Sequence, residues 1–296
     1  MNTRPSLDQI GVSAGKKARL YRILHGHGMR NGTAIFLPYD HGLEHGPRDF
    51  FGNPESSDPG YIIRLAVEGG FNGIALQIGL AEKFYWDYAG EVPLVLKLNG
   101  KTEIPSAIDP LSPVNATVED AVRLGADAVG YTLYVGSPAQ ERDFAQYLRV
   151  REDAERFGMP LIVWSYPRGA AIDAKGGKDS FYAVDYAARI ASELGADLVK
   201  VNFPQPGKQS GVPEAYRREF SSAEAIEAVV RSASRTLLLV SGGEQAGDEA
   251  MLEKARQSME AGATGLIFGR NVFQRGHDES LRLIAQLRDI LAKYPS

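Results

Sequence analysis

Cysteine is absent from this chain. Disulfides, thiolate zinc sites and cysteine nucleophiles are therefore excluded together. The absence fits a reducing cytoplasm, where no disulfide is needed. No apolar run is long enough to span a bilayer, so no membrane partner is expected. Residues 1–15 are polar and carry no apolar core of a signal peptide. Basic residues are not in excess: 33 Lys and Arg stand against 37 Asp and Glu, a net charge of −4. Without a global positive field, nucleic acid is not an expected partner, although a local cationic pocket for phosphates remains open. A Gly-x-Gly-x-x-Gly turn after a first strand is missing too, which argues against a doubly wound dinucleotide-binding sheet. Histidine is scarce, with five in the chain.

What is present is a repeat of short apolar runs with helical segments between them. Candidate strands are 33–40, 73–77, 93–99, 128–134, 160–166, 198–203, 236–243 and 265–271. Each is rich in Val, Ile, Leu or Tyr and bounded by Gly, Pro or Asp. Candidate helices are 59–68, 117–124, 140–157, 182–194, 222–234, 248–261 and 279–293. Several helices exit through a similar turn, as in Leu124-Gly125-Ala126-Asp127 and Leu194-Gly195-Ala196-Asp197. Glycine just past a helix end is the left-handed cap. Strands alternating with helices imply parallel pairing. Eight such units predict a (β/α)8 barrel, an α/β fold in which residues 1–296 form a single domain. Residues 1–31 precede the first strand and are expected to be a helical extension that closes the barrel bottom or forms an interface. Loops 101–113 and 169–178 are Gly/Pro-punctuated and longer than the connections require.

The most informative residue is Lys200, in the apolar segment Asp197-Leu198-Val199-Lys200-Val201-Asn202-Phe203. Burial disfavours a charged amine, lowers its pKa and frees the neutral form as a nucleophile. The blander reading is a strand-end lysine reaching water or a carboxylate. This segment alone favours the second, and the rest of the chain favours the first. Side chains alternate along a strand, so Lys200 shares a face with Asn202, Trp164 with Tyr166, and Lys97 with Asn99. Asp40 ends the first strand. In a barrel these polar residues point inward near the C-terminal mouth, where the chemistry of such barrels sits. Val163, Val199, Val201, Leu96 and Leu98 fall on the opposite, helix-facing side.

The loop after the first strand, Asp40-His41-Gly42-Leu43-Glu44-His45-Gly46-Pro47, contains four residues that could ligate a metal. Zinc sites usually draw on ligands distant in sequence as well, and few further histidines are available. The blander role for either histidine is a hydrogen bond within a Gly-rich turn. Two late turns suit phosphate: Ser241-Gly242-Gly243 after the seventh strand and Gly269-Arg270-Asn271 after the eighth. Exposed backbone N–H groups and an arginine there make an anion cradle.

Together these motifs resemble one family. Tyr39-Asp40-His41-Gly42-Leu43-Glu44-His45-Gly46-Pro47, Leu96-Lys97-Leu98-Asn99-Gly100-Lys101-Thr102, Val163-Trp164-Ser165-Tyr166-Pro167-Arg168-Gly169, Lys200, Ser241-Gly242-Gly243 and Gly269-Arg270-Asn271-Val272 are similar to the archaeal-type class I fructose-1,6-bisphosphate aldolases, the DhnA-like group. The resemblance runs from about residue 33 to the C-terminus. It implies metal-free cleavage of fructose 1,6-bisphosphate to dihydroxyacetone phosphate and glyceraldehyde 3-phosphate. Under it, Lys200 is the Schiff-base lysine, with no cofactor beyond that covalent intermediate. Tyr166 shuttles protons, and Asp40 orients the carbinolamine hydroxyl or holds Lys200 charged at rest. Trp164 shapes the pocket. Ser241, Gly242, Gly243, Gly269 and Arg270 bind phosphate, and His45 and Arg168 lie in substrate-facing loops. As a base Tyr166 would need cationic help, from Lys200 before imine formation or from Arg168. A sugar phosphate is the expected partner, a large homo-oligomer the expected assembly and glycolysis or gluconeogenesis the expected setting. Two positions depart from the family pattern: Glu244 stands where proline is expected, and Asn202 where a second lysine often occurs. The alternatives are a related lysine-dependent aldolase, transaldolase or thiolase-like enzyme on another sugar phosphate, a non-catalytic sugar-phosphate-binding barrel, and a metal-dependent aldolase.

Overall fold

Eight parallel strands close on themselves in sequence order, each hydrogen-bonded to its neighbours and the last to the first. The structure is a computed structural model that describes residues 4–105, 110–205, 211–242 and 247–296. The strands are β1 (Ala34–Tyr39), β2 (Gly73–Gln77), β3 (Leu94–Lys97), β4 (Ala128–Val135), β5 (Leu161–Pro167), β6 (Leu198–Asn202), β7 (Leu237–Ser241) and β8 (Gly265–Ile267). All eight sit within or almost within the stretches that the apolar runs predict. The expected (β/α)8 barrel is thus the observed architecture.

The alternation of side chains sorts the core into two shells. Phe36, Val95, Ile162, Leu198, Leu237 and Leu239 pack inside the barrel. Leu37, Leu96, Val163, Val199 and Val201 belong to the outer shell beneath the helices. A slip of one residue in any strand would exchange the two sets, so this pattern fixes the register.

Helices Gln140–Arg156, Phe181–Glu193, Ser222–Ala233, Asp248–Glu260 and His277–Leu291 lie where the periodicity places them. A capping box at Thr117 and Asp120 starts helix Val118–Arg123, and another at Ser221 and Glu224 starts helix Ser222–Ala233. The recurrent exit glycines Gly125, Gly195 and Gly262 all have positive φ, as the left-handed cap requires. One segment differs from expectation. Strand eight was expected to reach residue 271, but Gly269 (φ −104°, ψ −89°) turns the chain into helix Arg270–Phe273. Between β2 and β3 the crossover is made of short turns of helix, Ile78–Leu80, Ala81–Tyr85 and Trp86–Tyr88, rather than one continuous helix. Among the described residues no helix is long and apolar enough to cross a membrane.

The N-terminal segment closes the bottom of the barrel, one of its two expected roles. Helix Ala14–Tyr21 and the following turn Arg22–Gly26 bring Leu20, Ile23 and Leu24 into the inner shell. Polar contacts fix this plug. The buried Lys16 ammonium lies 2.9 Å from Asp197 at the start of β6 and also meets Glu155. Arg22 Nε donates to Asp127 at 2.7 Å. Fully buried Asn72 joins plug to sheet. Its amide donates to the carbonyls of Ile23 (2.7 Å) and His27 (3.0 Å), while its Oδ1 accepts from Ile35 N (2.9 Å). Gly28 makes room for it, since a Cβ there would lie 2.1 Å from Asn72 Oδ1.

Removing a buried side chain that satisfies several backbone groups strands them without partners. Asn72→Ala is therefore expected to lower unfolding free energy by roughly 2–4 kcal/mol. Chemical denaturation reads this directly. A loss below the error of that measurement would show that the plug does not depend on Asn72.

Candidate active site

The inner shell changes character toward the C-terminal ends of the strands. Apolar layers at the bottom give way to Lys97, Asn99, Thr132, Trp164, Tyr166, Lys200, Asn202 and Ser241. These line or underlie a cavity of about 800 Å³ at the barrel mouth. The parallel register produces this gathering. Trp164 pairs with Lys200, Lys97 with Gly130, Thr132 with Trp164, and Asn202 with Ser241.

Lys200 is 6% exposed. Its Nζ lies 2.6 Å from Tyr166 Oη and 3.3 Å from Asn202 Oδ1. Burial lowers its pKa to about 7, and the Arg168 cation pushes the same way, against the opposing pull of Asp40, Asp179 and Glu44. A large fraction of this amine is thus neutral near pH 7, so it can act as a nucleophile.

Tyr166 stands two residues further toward the mouth than Trp164. Burial raises its phenol well above the usual value, Asp40 and Glu44 add to the shift, and Arg168 opposes it. The Arg168 guanidinium lies 5.0 Å from the ring centroid. The phenol therefore enters any reaction protonated. Arg168 supplies the expected cationic neighbour without reversing the effect of burial.

Asp40 meets Lys97 across the barrel, 3.4 Å from Nζ to Oδ2. Burial alone would raise the carboxyl, but Lys97 and His41 outweigh it and hold Asp40 below the usual carboxylate range. Burial lowers the His41 imidazole to about 4, partly offset by Asp40, so the ring is neutral near pH 7. Trp164 is 3% exposed and forms the inner wall, with Lys97 Nζ 4.7 Å from its ring centroid.

At the far side, Ser241 Oγ donates to Asn202 Oδ1 at 2.9 Å. Asn202 in turn donates to Asp179. Gly242 and Gly269 stand where side chains would collide: a Cβ on Gly242 would lie 2.6 Å from Asn271 Nδ2, and one on Gly269 2.5 Å from His41 Cε1. Arg270 is partly exposed, with Nε 4.0 Å from the buried Asp49 carboxylate. Gly243 and Glu244 lie outside the described residues.

His45 sits between two acids. Nδ1 is 2.6 Å from Asp49 Oδ2, and Nε2 is 3.2 Å from Glu103 Oε1. Among the described residues, the group of side chains that could share an ion is Glu44, His45 and Glu103. The sequence set of Asp40, His41, Glu44 and His45 does not converge as one ligand shell: Asp40 turns toward Lys97. Asp49 holds His45 Nδ1, which leaves Nε2 beside Glu103 as the nitrogen that could face an ion.

The structure brings Lys200, Tyr166, Asp40, Trp164, His45, Arg168, Ser241, Gly242, Gly269 and Arg270 to one cavity. The sequence reading did not assign a role to Lys97, Asp179 or Glu103. Lys97 carried a signal, as a polar residue on the inward face of a strand. Asp179 and Glu103 carried none, because loop placement alone joins them to Asn202 and His45. Asn202, a departure from the family pattern, links Lys200, Ser241 and Asp179.

The family model for DeoC/LacD aldolases matches residues 34–275. Fructose-bisphosphate aldolase class 1 of Thermoproteus tenax is 46% identical over 247 residues, covering 83% of this chain and 85% of that protein. The fructose-bisphosphate aldolase/6-deoxy-5-ketofructose 1-phosphate synthase of Methanocaldococcus jannaschii is 33% identical over 264 residues, 86% of this chain and 80% of that protein. A solved archaeal fructose-1,6-bisphosphate aldolase, its catalytic lysine covalently bound to the carbinolamine intermediate, superposes with a TM-score of 0.78. It is 40% identical and covers 92% of this chain and 99% of its own. On a match that begins with the first strand and runs past the last, the chain belongs to the DeoC/LacD family of aldolases.

Proposed function

We propose that this protein is a metal-independent class I fructose-bisphosphate aldolase that reversibly cleaves fructose 1,6-bisphosphate to dihydroxyacetone phosphate and glyceraldehyde 3-phosphate. The observation that carries this reading is the buried Lys200 amine, 2.6 Å from a protonated Tyr166 phenol inside the barrel mouth.

The chemistry balances with these two groups. Neutral Lys200 attacks the C2 ketone, and a proton moves from nitrogen to oxygen to give the carbinolamine. Tyr166 protonates the departing hydroxyl, which leaves as water. An iminium cation and a phenolate remain side by side. The iminium then draws the C3–C4 bonding electrons to nitrogen, forming an enamine. The C4 hydroxyl loses its proton to the Tyr166 phenolate, and glyceraldehyde 3-phosphate departs as the aldehyde. Tyr166 next protonates the enamine carbon. Water adds to the resulting iminium and returns a proton to Tyr166. Collapse of that carbinolamine, with its hydroxyl proton passing to nitrogen, releases dihydroxyacetone phosphate and neutral Lys200. The raised pKa of the phenol thus suits its first task, and the iminium makes its phenolate tolerable for the second.

Asp40 accepts a hydrogen bond from the carbinolamine hydroxyl. Trp164 shapes the wall, and Ser241, Gly242, Gly243, Gly269 and Arg270 hold one phosphate. Arg168 and His45 face the remainder of the sugar phosphate. In this reading residues 1–296 act as one barrel domain with 1–31 as its helical extension. The protein works in the cytoplasm as a large homo-oligomer in glycolysis or gluconeogenesis. A second reading, the same lysine acting on another sugar phosphate, draws on the double name of the Methanocaldococcus relative.

Borohydride reduction with dihydroxyacetone phosphate, in excess chelator, is expected to place a substrate-dependent adduct on Lys200. No adduct, or one on Lys97, would sink the mechanism. Adduct formation should rise with pH around a midpoint near 7, because only the neutral amine attacks. Removing the Arg168 cation favours the charged amine, so Arg168→Ala should move that midpoint upward. A downward shift would contradict this account of the field at Lys200. Tyr166→Phe should cost roughly 10²- to 10⁴-fold in kcat for cleavage. A near-normal kcat in that variant would remove the phenol from the proton path.

A further inference from the structure

Lys97 is a second buried amine in the barrel wall, 2% exposed, and the mechanism above leaves it unused. Its placement is built by several neighbours. Gly130, its register partner on β4, opens the slot for its stem: a Cβ there would lie 2.9 Å from Lys97 Cδ and 2.7 Å from Trp164 Cζ3. Thr132 Oγ1 accepts from Nζ at 2.6 Å. Asn99 fixes the Thr132 backbone, accepting from its N–H at 2.7 Å and donating to its carbonyl at 2.9 Å. The ammonium is left 3.4 Å from Asp40 Oδ2 and 4.7 Å from the Trp164 ring centroid.

We propose that Lys97 is the positioning residue that keeps Asp40 a carboxylate, and fixes where it points, throughout turnover. Asp40 then serves as a fixed hydrogen-bond acceptor and never as a proton donor. This inference rests on the aldolase reading above. The argument is electrostatic. Asp40 is mostly withdrawn from solvent in the cavity wall, its side chain 15% exposed, and that burial works against its charge. The charged or titratable groups around it are His41 and Glu44 from its own loop, Lys97 from β3, Tyr166 from β5 with Arg168 beyond it, Lys200 from β6 and Arg270 after β8. His41 is neutral near pH 7, and Lys200 becomes neutral in order to react. Among the described residues Lys97 is the lysine or arginine within salt-bridge distance of Asp40. A second proton donor beside Tyr166 would be free to protonate the enamine out of turn. A carboxylate held ionised accepts the carbinolamine hydroxyl and leaves proton delivery to the phenol.

The test is the pH profile of cleavage, kcat/KM for fructose 1,6-bisphosphate, in the full chain. In the wild type one ionisation, that of Lys200, should govern the acid side, giving a log–log slope of about one. Without Lys97, Asp40 should climb by about one to three pH units. Lys97→Met should then steepen the acid limb toward a slope of about two, while Lys97→Arg, which keeps the charge, restores a slope near one. A slope of one in Lys97→Met, with activity reduced equally at every pH, would overturn the proposal and leave Lys97 as packing. Should Lys97→Met fail to fold, infrared titration of the wild type against Asp40→Asn still decides. Absence of a protonated-carboxyl band from Asp40 down to about pH 5 is the expected result, and such a band near neutrality overturns the proposal. Failure of the wild type itself to cleave the substrate or form an adduct would instead defeat the aldolase reading.

Discussion

Everything at the barrel mouth depends on holding an amine inside a protein interior with, among the described residues, no carboxylate within salt-bridge distance of it. The Lys200 ammonium loses hydration there and finds a phenol and an amide in its place. That imbalance moves its pKa to about 7. The same burial that frees the amine keeps Tyr166 protonated. One physical cause therefore prepares both partners in opposite senses: a base without its proton beside an acid with one. Neither state needs a cofactor to create it.

The surrounding charges set how far this goes. Arg168 pushes Lys200 down and pulls Tyr166 back, whereas Asp40 and Glu44 act the other way on both. The acids prevent the amine from falling so low that it becomes a poor nucleophile. The arginine keeps the phenol within reach of deprotonation once an iminium forms beside it. Asn202 extends this network. With an amide at that position, Lys200, Ser241 and Asp179 are joined without a second cation next to the nucleophile. A lysine there would push Lys200 lower still by like-charge repulsion.

Much of this was legible in the sequence, for a definite reason. Short β-branched runs bounded by glycine gave the strands, and the alternation within each run told inward from outward positions before any coordinates. Lys200 and Tyr166 could be brought together because consecutive strands of a parallel barrel are neighbours. Strand eight was read too long because Leu266-Ile267-Phe268 is apolar and the turn at Gly269 depends on local backbone angles. The broken crossover after β2 had no periodic signal to show. Asp179 and Glu103 escaped for a different reason: each acts on a residue from a distant loop, and no spacing rule connects them. The phosphate turns were visible as glycines, yet their necessity shows only in three dimensions, where His41, Asn271 and Phe268 crowd the missing side chains.

Among the described residues three lysines are buried in and beneath this barrel, and their partners separate their roles. Lys16, at the bottom, lies against Asp197 and Glu155 and ties the N-terminal plug to β6. Lys97, in the wall, lies against Asp40 and Thr132. Lys200 has neither arrangement: its near neighbours are an uncharged phenol and an uncharged amide. A carboxylate in contact stabilises an ammonium far more than a phenol does. Burial alone therefore does not make a nucleophile. Among the described residues a carboxylate lies within salt-bridge distance of Lys16 and of Lys97, whereas Asp40, Asp179 and Glu44 act on Lys200 only from further away. Position along the barrel does not make the division: Lys16 lies at the N-terminal ends of the strands, but Lys97 and Lys200 both stand toward the C-terminal ends, where eight loops can close over a substrate, and there the partners alone distinguish them.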